Sequence, residues 1–314
     1  MAKPLDPEHP GRFSSSLCAG LAMLTCFTAE HPVRGIADMA EELDLGRSTT
    51  HRYATTLVTL GYLEQGPSRK YRLSSRVSDF GLSLLDSMVV RRVAREHLRE
   101  LRARTGRTAS LGVLGGTEVA YIDRWQGSRQ GQYAVDAGIG LGTRLPVHCT
   151  AAGKALLAHL SEAEQRDLIA DLRLTKRGPK TITTKTALRA ELDRIVTEGG
   201  LAVEDEELLA GRRALAVVVV DEEGAAIAAV ELAVPANAYA RERLPKEIGL
   251  KVTATARRIT AVLGRGDREM SMPATTSVAD TAAHPGLTHL PENTQHELID
   301  EIKLPALNMA VQGQ

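Results

Sequence analysis

The chain has 314 residues and no formal net charge, with 43% hydrophobic and 25% charged residues. These are ordinary values for a globular protein, and the length suits two modest domains or one large one. Aromatic residues make up only 3%, which argues against stacking platforms for single-stranded nucleic acid. The start of the chain is polar, no apolar run reaches the length of a membrane span, and the three cysteines show no CxxC spacing. We therefore expect a cytoplasmic protein with reduced thiols and no membrane partner.

The N-terminal region begins with a polar segment and continues with an apolar repeat. Residues 1–13 contain three prolines and read as a flexible arm. Residues 14–28 predict the first helix, because Leu17, Leu21 and Leu24 recur at helical spacing and form one apolar stripe.

Residues 33–73 carry the most informative pattern. Ile36, Met39 and Leu43 recur at helical spacing and predict a short helix. A turn ending in Gly46 follows, and Gly46 is expected to supply the positive φ of a sharp reversal. This arrangement predicts the first helix and the turn of a helix-turn-helix.

A second helix is predicted directly after the turn. Ser48 is a candidate N-cap, because its hydroxyl can accept a free first-turn N–H. Helical spacing then buries Thr50, Ala54, Leu57 and Val58. In helix-turn-helix proteins the start of this second helix presents side chains to base edges in the major groove.

A wing is predicted after the second helix. Residues 61–64 and 70–73 read as strands, and residues 65–69 contain Gly and Pro and read as the turn between them. From residue 47 to residue 73 the chain has five positive and one negative side chain, a local basic surface in a neutral protein. The alternative is an ordinary helical hairpin whose polar face is only solvated. The predicted wing and the excess of positive charge favour a DNA-binding motif over this alternative.

The candidate DNA-binding residues are Arg47, Ser48, Thr49, Thr50, His51, Arg52, Tyr53, Arg69, Lys70 and Arg72. Thr49, Thr50 and Arg52 are the best candidates for base-edge contacts, with a core role open for Thr50.

Residues 74–104 read as helical throughout, with residues 75–90 as a linker. The linker has an apolar face that includes Val77, Phe80 and Leu84, and an exposed helix does not need such a face. A second copy of the chain is the simplest cover, since it would set two recognition helices about one DNA turn apart. Six arginines between residues 91 and 104 could reach DNA, but a solvated face with local carboxylate pairing is favoured.

The remainder of the chain alternates between strand and helix patterns. Strands are predicted at 109–114, 118–125, 132–137, 201–206, 213–220 and 225–233, and helices at 150–160, 162–172, 185–198 and 239–263. Hairpin signals on both sides of helices indicate an α+β fold, with an antiparallel sheet and helices packed on it. Residues 265–314 are rich in Thr, Ser, Ala, Pro and Gly and are expected to be disordered.

Two local motifs invite a chemical interpretation. The helix start Thr150-Ala151-Ala152-Gly153-Lys154 has small residues whose N–H groups favour an anion. It is not a phosphate-binding Walker A loop, because His148 stands where that motif needs its first Gly. His148 and Cys149 are adjacent, and adjacent residues rarely form a working nucleophile and base, so a structural role is favoured. The acidic run at residues 204–207 reads as a solvated loop or a metal site.

Several segments in the same order resemble the IclR family of bacterial transcription regulators. They are GIADMAEELDLGRSTTHRYATTLVTLGYLEQ, KYRLSSRVSDFG, LPVHCTAAGKALLAHL and GGLAVEDEELLAGRRALAVVVVDEEGAAIAAVELAVP, within residues 14–263. The resemblance implies a winged helix-turn-helix joined by a helix to a GAF-like effector domain, as a homodimer or a dimer of dimers. It implies domains at residues 14–74, 75–90 for the linker helix, and 91–264.

Carried over by position, the resemblance implies an effector site. Its residues are Ala151, Ala152, Glu204, Ala214, Glu231 and Ala233. Relatives that bind small keto acids carry Cys and Ser at the last three of these strand positions, so a glyoxylate-like effector is not expected, and a hydroxylated or aromatic metabolite is preferred. Glu231 would be costly to bury unless it is protonated, pairs with Arg212 or Arg144, or bonds an effector hydroxyl or amine.

The sequence thus predicts a DNA-binding transcriptional regulator whose operator binding responds to a small-molecule effector. The resemblance implies repression as the mode, and no residue decides between repression and activation. No catalytic residue, metal or cofactor is assigned. Two alternatives stay open: an enzyme that uses Cys149 and is recruited to DNA by its N-terminal domain, and a DNA-binding protein that is blind to ligands.

Overall fold

The computed structural model describes residues 14–128 and 138–270, with side chains described as far as residue 264. The predicted arm, the predicted strand at 132–137 and residues 271–314 of the predicted tail lie outside the described residues. The described chain divides into two compact units, one ending at Ser83 and the other beginning at Leu84. Within these residues no helix is long and apolar enough to cross a membrane.

The N-terminal unit is the predicted winged helix-turn-helix. Its elements are α1 (Ser15–Thr25), α2 (Ile36–Glu42), α3 (Arg47–Thr59), β1 (Leu63–Gln65), β2 (Tyr71–Leu73) and the start of α4 (Val77–Ser87). The two strands form an antiparallel hairpin in which Glu64 lies opposite Arg72. A small core of Met23, Met39 and Ala54, all fully buried, joins the first three helices.

The turn between α2 and α3 differs from the prediction in detail. Asp44, not Gly46, takes the positive φ, at 52°. Gly46 has φ −64° and is the N-cap of α3, so Ser48 lies inside the helix and caps nothing. Asp is one of the few residues that enters the left-handed region at low cost. The reversal can therefore occur two residues earlier than glycine placement suggests.

The predicted continuous helix at residues 74–104 is interrupted. α4 ends at Ser87, Met88 adopts an extended ψ of 101°, and α5 (Val89–Thr105) begins after it. Gly106 caps the end of α5 with φ 64°, the left-handed conformation that glycine takes without a Cβ penalty. The segment predicted as a linker thus contains α4, and the arginine-rich segment forms a separate helix.

The second unit contains a six-stranded antiparallel sheet in the order β5-β4-β3-β8-β7-β6. The strands are β3 (Thr108–Gly115), β4 (Glu118–Trp125), β5 (Arg144–Pro146), β6 (Ala202–Asp205), β7 (Arg212–Val220) and β8 (Ala226–Pro235). The helices after α5 are α6 (Ala151–Ala158), α7 (Glu162–Asp171), α8 (Lys185–Thr197) and α9 (Leu250–Met270), and a 3₁₀ turn, Val147–Cys149, leads into α6.

The two faces of the sheet differ in composition. α5 and α9 cover one face, where the strands contribute large aliphatic residues such as Leu111, Val230 and Leu232. α6 covers the other face, where the strands contribute small residues such as Ala214 and Ala233. Small residues let the start of α6 approach the sheet closely, and they leave room there for larger polar side chains.

The C-terminal helix begins later and ends later than predicted. A π-helical turn, Pro245–Gly249, precedes α9, and residues 239–243 before it are not helical. Proline is well placed at a helix start, because it lacks the N–H that would be unsatisfied there. α9 continues to Met270, so the predicted disordered tail does not begin at residue 265.

Candidate functional site

The exposed surface of α3 carries most of the predicted DNA-contacting residues. Arg47, Ser48, His51 and Arg52 are exposed, and Thr49 is partly exposed. The opposite side of the helix packs into the core through Thr50, Ala54 and Leu57. An amphipathic helix of this kind holds its polar face at a fixed orientation, as major-groove readout requires.

Two of the predicted contacts do not belong to this surface. Thr50 is fully buried, and its hydroxyl donates a hydrogen bond of 3.1 Å to the Gly46 carbonyl, so it is a core residue. The Tyr53 hydroxyl forms a 3.3 Å hydrogen bond with Ser16 of α1. The helical period places Arg52 on the exposed side of α3. The same period directs Thr50 into the core and Tyr53 towards α1.

The surface of α3 continues one turn beyond the predicted set. Thr55, Thr56 and Thr59 are exposed, and each hydroxyl donates to a carbonyl four residues earlier at 2.9–3.0 Å. Their oxygen atoms remain available as acceptors. Helical spacing from Ser48 and Arg52 indicates these positions, which the predicted set of DNA contacts did not include.

The wing presents cations that differ in their pairing. Arg72 lies opposite Glu64 and forms an ion pair with it at 2.7 Å, which neutralises both groups. Arg69 and Lys70 lie at the exposed turn, and neither forms an ion pair with the described residues. The charge on this hairpin is therefore concentrated at its tip.

The arginines of α5 are engaged locally, as the favoured interpretation predicted. Arg99 pairs with Glu96 at 2.6 Å, and Arg104 pairs with Glu100 at 3.7 Å. Arg102 donates to the Gln126 carbonyl at 3.0 Å. The first two contacts lie within the helix, the third joins it to the segment after β4, and none supports a role in DNA binding.

The predicted effector residues come together on the α6 face of the sheet. β6 pairs with β7 so that Glu204 lies opposite Ala214, and β7 pairs with β8 so that Ala214 lies opposite Ala233. Glu231 projects from the same face of β8 and accepts a hydrogen bond from the Ala152 N–H at the start of α6. Ala151, the first residue of α6, is fully buried beside them.

A buried arginine organises this site. The guanidinium of Arg212, which is 0% exposed, pairs with Glu204 on one side and with Glu231 at 2.7 Å on the other. Tyr121 donates from its hydroxyl to Glu231 at 3.0 Å. Of the partners considered for Glu231, Arg212 is the one that the fold supplies, and Arg144 is exposed on β5.

Burial and charge act against each other in this group. Burial alone would lower the pKa of Arg212, but the carboxylates of Glu231 and Glu204 outweigh it and raise that pKa. Burial raises the pKa of Glu204 to about 7, despite the opposing effect of Arg212. Burial and the nearby Glu231 carboxylate raise the pKa of Tyr121, so its hydroxyl remains a donor.

A second buried ion pair lies beside the first. Lys154 of α6, which is 0% exposed, contacts Glu207 at 2.6 Å and Glu191 at 3.1 Å, and donates to the Val203 carbonyl at 2.7 Å. This lysine fastens α6 to α8 and to the β6 segment. Burying its amine is tolerable because each donor has a partner.

The acidic run at residues 204–207 is neither a solvated loop nor a metal site. Each carboxylate has a cationic partner: Glu204 pairs with Arg212, Asp205 with Arg213 and Lys180, Glu206 with Lys180, and Glu207 with Lys154. Among the described residues no group of His, Cys, Asp and Glu is arranged to hold a metal ion.

Cys149 has the surroundings of a core residue. Its side chain is fully buried, and burial raises the pKa of the thiol to about 12. A reactive cysteine needs a lowered pKa and access to a substrate. The His148 ring contacts the Thr175 carbonyl through Nε2 at 3.1 Å instead of the neighbouring sulfur. The geometry therefore supports the structural role and gives no support to a nucleophile.

Two residues of this site, Tyr121 and Lys154, were not predicted from the sequence. Arg212 was predicted as one of two possible partners of Glu231, and the structure pairs them. Two polar atoms of the site, Arg212 Nε and Glu207 Oε2, are buried and have no hydrogen-bond partner among the described residues. Buried polar atoms normally have partners, so these atoms mark where a ligand or water could bind.

Comparisons with known proteins agree with this architecture. The family model of the IclR helix-turn-helix domain matches residues 17–67, and that of the bacterial transcriptional regulator IclR C-terminal domain matches residues 82–261. The chain is 37% identical over 213 residues to the HTH-type transcriptional regulator XynR of Escherichia coli (strain K12), across 68% of this chain and 82% of XynR. It is 34% identical over 220 residues to the p-hydroxybenzoate hydroxylase transcriptional activator of Acinetobacter baylyi, across 69% of this chain and 80% of that protein.

A solved structure gives the same result for the fold. An IclR homolog from Microbacterium hydrocarbonoxydans, solved in complex with 4-hydroxybenzoate, matches with a TM-score of 0.67 and 28% identity, over 79% of this chain and 99% of that one. The C-terminal family model covers more than half of the chain, and the N-terminal one covers α1 to β1. The chain therefore belongs to the IclR family of bacterial transcriptional regulators.

Proposed function

We propose that this transcriptional regulator reads its operator through the exposed face of α3 and holds the phosphate backbone with the tip of the wing. The base-edge contacts come from Thr49 and Arg52, with Arg47, Ser48 and His51 beside them. Arg69 and Lys70 contact phosphate. The observation that carries the proposal is a rigid helix with a polar, cationic outer face and an apolar inner face.

The effector site that we propose is the buried group between the start of α6 and strands β6 to β8. Support comes from the convergence of Ala152, Glu204 and Glu231 around Arg212. Arg212 Nε and Glu207 Oε2, which are buried and have no hydrogen-bond partner within the described part of the chain, offer one donor and one acceptor. A hydroxyl group can satisfy both kinds of atom, so the effector is a hydroxylated metabolite.

Effector binding controls the operator through linked equilibria. The ligand must bind one arrangement of the regulator better than another, and the difference in binding free energy sets the change in DNA affinity. Repression is the proposed mode. A reporter gene placed under control of the operator tests this mode. Deleting the gene of a repressor raises reporter expression, whereas deleting the gene of an activator lowers it.

A homodimer is the proposed assembly. Leu17 and Leu21 of α1 and Phe80 of α4 are 58–63% exposed and border an apolar groove of about 510 Å³ in the N-terminal unit. Exposed apolar surface of this kind marks a protein interface. A second copy is the occupant proposed, since a two-fold pair of recognition helices matches two half-sites on DNA. Phe80→Glu should shift the mass measured by light scattering from dimer to monomer.

The experiment that tests DNA binding is a salt titration on the DNA upstream of the gene. Wild type is compared with Arg52→Ala and with Arg99→Ala, a control that removes an arginine already paired with Glu96. Affinity should fall steeply with salt in wild type, weaken in Arg52→Ala and remain unchanged in Arg99→Ala. No binding at low salt would overturn the DNA interface.

The same assay tests the effector. Pooled hydroxylated metabolites are added at fixed salt, and each active pool is divided until one compound remains. A compound that changes operator affinity in wild type but not in Arg212→Met, under conditions in which urea denaturation shows the variant to be folded, would support an effector at the buried site. Binding that ignores every pool would support a ligand-blind DNA-binding protein instead.

A further inference from the structure

The N-terminus of α6 already holds an anion that belongs to the chain. Glu231, 1% exposed, accepts the N–H of Ala152 on Oε2 at 3.0 Å. The next N–H, from Gly153, is taken by the hydroxyl of Thr150, the N-cap residue, at 3.2 Å. First-turn N–H groups carry partial positive charge and favour a bound anion. A side chain from β8 thus occupies the position that this helix terminus offers.

The other oxygen of the same carboxylate is also fully used. Oε1 of Glu231 accepts from the Arg212 guanidinium at 2.7 Å and from the Tyr121 hydroxyl at 3.0 Å. Three donors from three different elements therefore converge on one carboxylate. Such convergence is what a protein builds to recognise a carboxylic acid ligand.

The charges around this position disfavour another anion. The buried carboxylates of Glu204 and Glu207 lie beside the Glu231 carboxylate, and the buried cations that face them, Arg212 and Lys154, are paired with them. A free acid entering this group would add negative charge beside the Glu231 carboxylate, and the two buried cations there are already paired. It would also find the three donors occupied.

We propose that Glu231 is a built-in replacement for a ligand carboxylate and closes the α6 terminus to small free carboxylic acids. The inference rests on the effector site proposed above and names the ligand class that this site rejects. Glu231 is then a specificity-determining residue. The carboxylate that completes the site is part of the chain, so the effector binds without supplying a carboxylate of its own.

The chemistry of one substitution makes the proposal testable. Replacing Glu231 by Ala removes the γ-carbon and the carboxyl group, which together are the heavy atoms of acetate. The Glu231→Ala variant therefore contains an acetate-shaped space lined by the Ala152 N–H, the Arg212 guanidinium and the Tyr121 hydroxyl. Acetate should enter that space and accept hydrogen bonds from the same three donors.

The experiment measures thermal unfolding through the fluorescence of Trp125, the single tryptophan of the chain, with acetate replacing chloride at constant ionic strength. Glu231→Ala should unfold at a lower temperature than wild type and regain stability as acetate rises. Calorimetric titration should show acetate binding to this variant at least about tenfold more tightly than to wild type, as expected when charged hydrogen bonds are regained. Acetamide, the uncharged isostere, should bind more weakly than acetate.

Two control variants separate this effect from general stabilisation. Glu231→Gln keeps the side chain in place and leaves no space, so it should ignore acetate. Glu191→Ala removes a carboxylate from the Lys154 pair without freeing the terminus of α6, and it should also ignore acetate. An equal response in wild type, or in Glu191→Ala, would overturn the proposal, as would an absent response in Glu231→Ala.

If Glu231→Ala does not fold in chloride, refolding yield becomes the measurement. A yield that recovers in acetate supports the proposal, and an equal failure in both salts overturns it. The assay uses neither DNA nor an effector. Its failure is therefore distinct from a failure of operator binding or of effector response, each of which has its own titration.

Discussion

The two units of the molecule use arginine in opposite ways. On α3 Arg52 is exposed, and on the wing the exposed Arg69 makes no ion pair with the described residues, so both positive charges face solvent. On β7 Arg212 is fully buried between two carboxylates. A charge that is to meet phosphate must remain solvated until DNA arrives, whereas a charge that organises a core must be neutralised when the chain folds. The same residue type thus carries the proposed recognition of DNA in one unit and forms a buried ion-pair network in the other.

The largest effect is expected when the buried arginine is removed. Arg212→Met leaves Glu204 and Glu231 buried without their cation, which should cost about 3–5 kcal/mol of unfolding free energy. Urea denaturation followed by Trp125 fluorescence reports on the unit that contains both groups. Arg99→Met, which breaks an exposed pair on α5, is the matched control and should leave the midpoint unchanged. A wild-type midpoint in Arg212→Met would contradict the buried network.

A smaller effect is expected from the ionisation of Glu204. Its pKa is raised to about 7 in the folded protein from a usual value of 4.5. The folded state therefore holds this proton over a pH range in which the unfolded state has released it. The stability from this group is full below about pH 4.5 and is lost as the pH rises through about 7.

Glu204→Gln checks this dependence, because the amide is uncharged at every pH. The difference in stability between wild type and Glu204→Gln should change between pH 5 and pH 8 by up to about 3 kcal/mol, in the direction that favours wild type at low pH. A difference that does not vary with pH, or that varies with the opposite sign, would contradict the raised pKa.

The wing offers a test with a smaller expected change in free energy. The double variant Arg69→Ala/Lys70→Ala should weaken operator binding equally on all sequences and reduce the salt slope by about 0.9 for each phosphate that the wing no longer neutralises. Arg72→Ala should change the slope less, because Arg72 is already paired with Glu64. Equal salt slopes for wild type, the double variant and Arg72→Ala would show that the wing does not contact DNA.

The smallest effect is expected at Thr50. Thr50→Val keeps the shape of the side chain and removes only its hydrogen bond to the Gly46 carbonyl, so stability should fall by about 1 kcal/mol or less. Operator affinity should equal that of wild type, in contrast to Arg52→Ala. A loss of sequence preference in Thr50→Val would show that this residue reaches a base after all.

Much of the fold could be predicted because local spacing determines it. The period that places Thr50, Ala54 and Leu57 on one side of α3 is a property of the helix alone, and the burial of these residues follows. The turn before α3 shows the limit of such prediction. The positive φ was predicted at Gly46 but occurs at Asp44, and both residue types tolerate the left-handed conformation. Local sequence patterns therefore predict that a helix or turn is present, but they do not determine the residue at which it begins or ends.

The contacts of the proposed effector site could be predicted only in part, because they depend on strand register and on helix placement. Glu231 was expected to need a partner, and both Arg212 and Arg144 were available in the sequence. The choice depends on which strands neighbour β8, and β7 brings Arg212 beside Glu231 while β5 lies at the far edge of the sheet. Tyr121 reaches the same carboxylate across β3, which no pattern in the sequence indicates.

The hydrogen bond between Glu231 and the Ala152 N–H also bears on how such sensors diverge. Codons for glutamate and alanine differ in a single base, so one mutation would replace Glu231 by alanine. The site would then need a free carboxylate from the cell in place of the Glu231 carboxylate. Because the donors on α6, β4 and β7 remain in place, the new requirement would arise without rebuilding the domain. A regulator of this design could thus acquire dependence on a metabolite in one step and lose it in the reverse step.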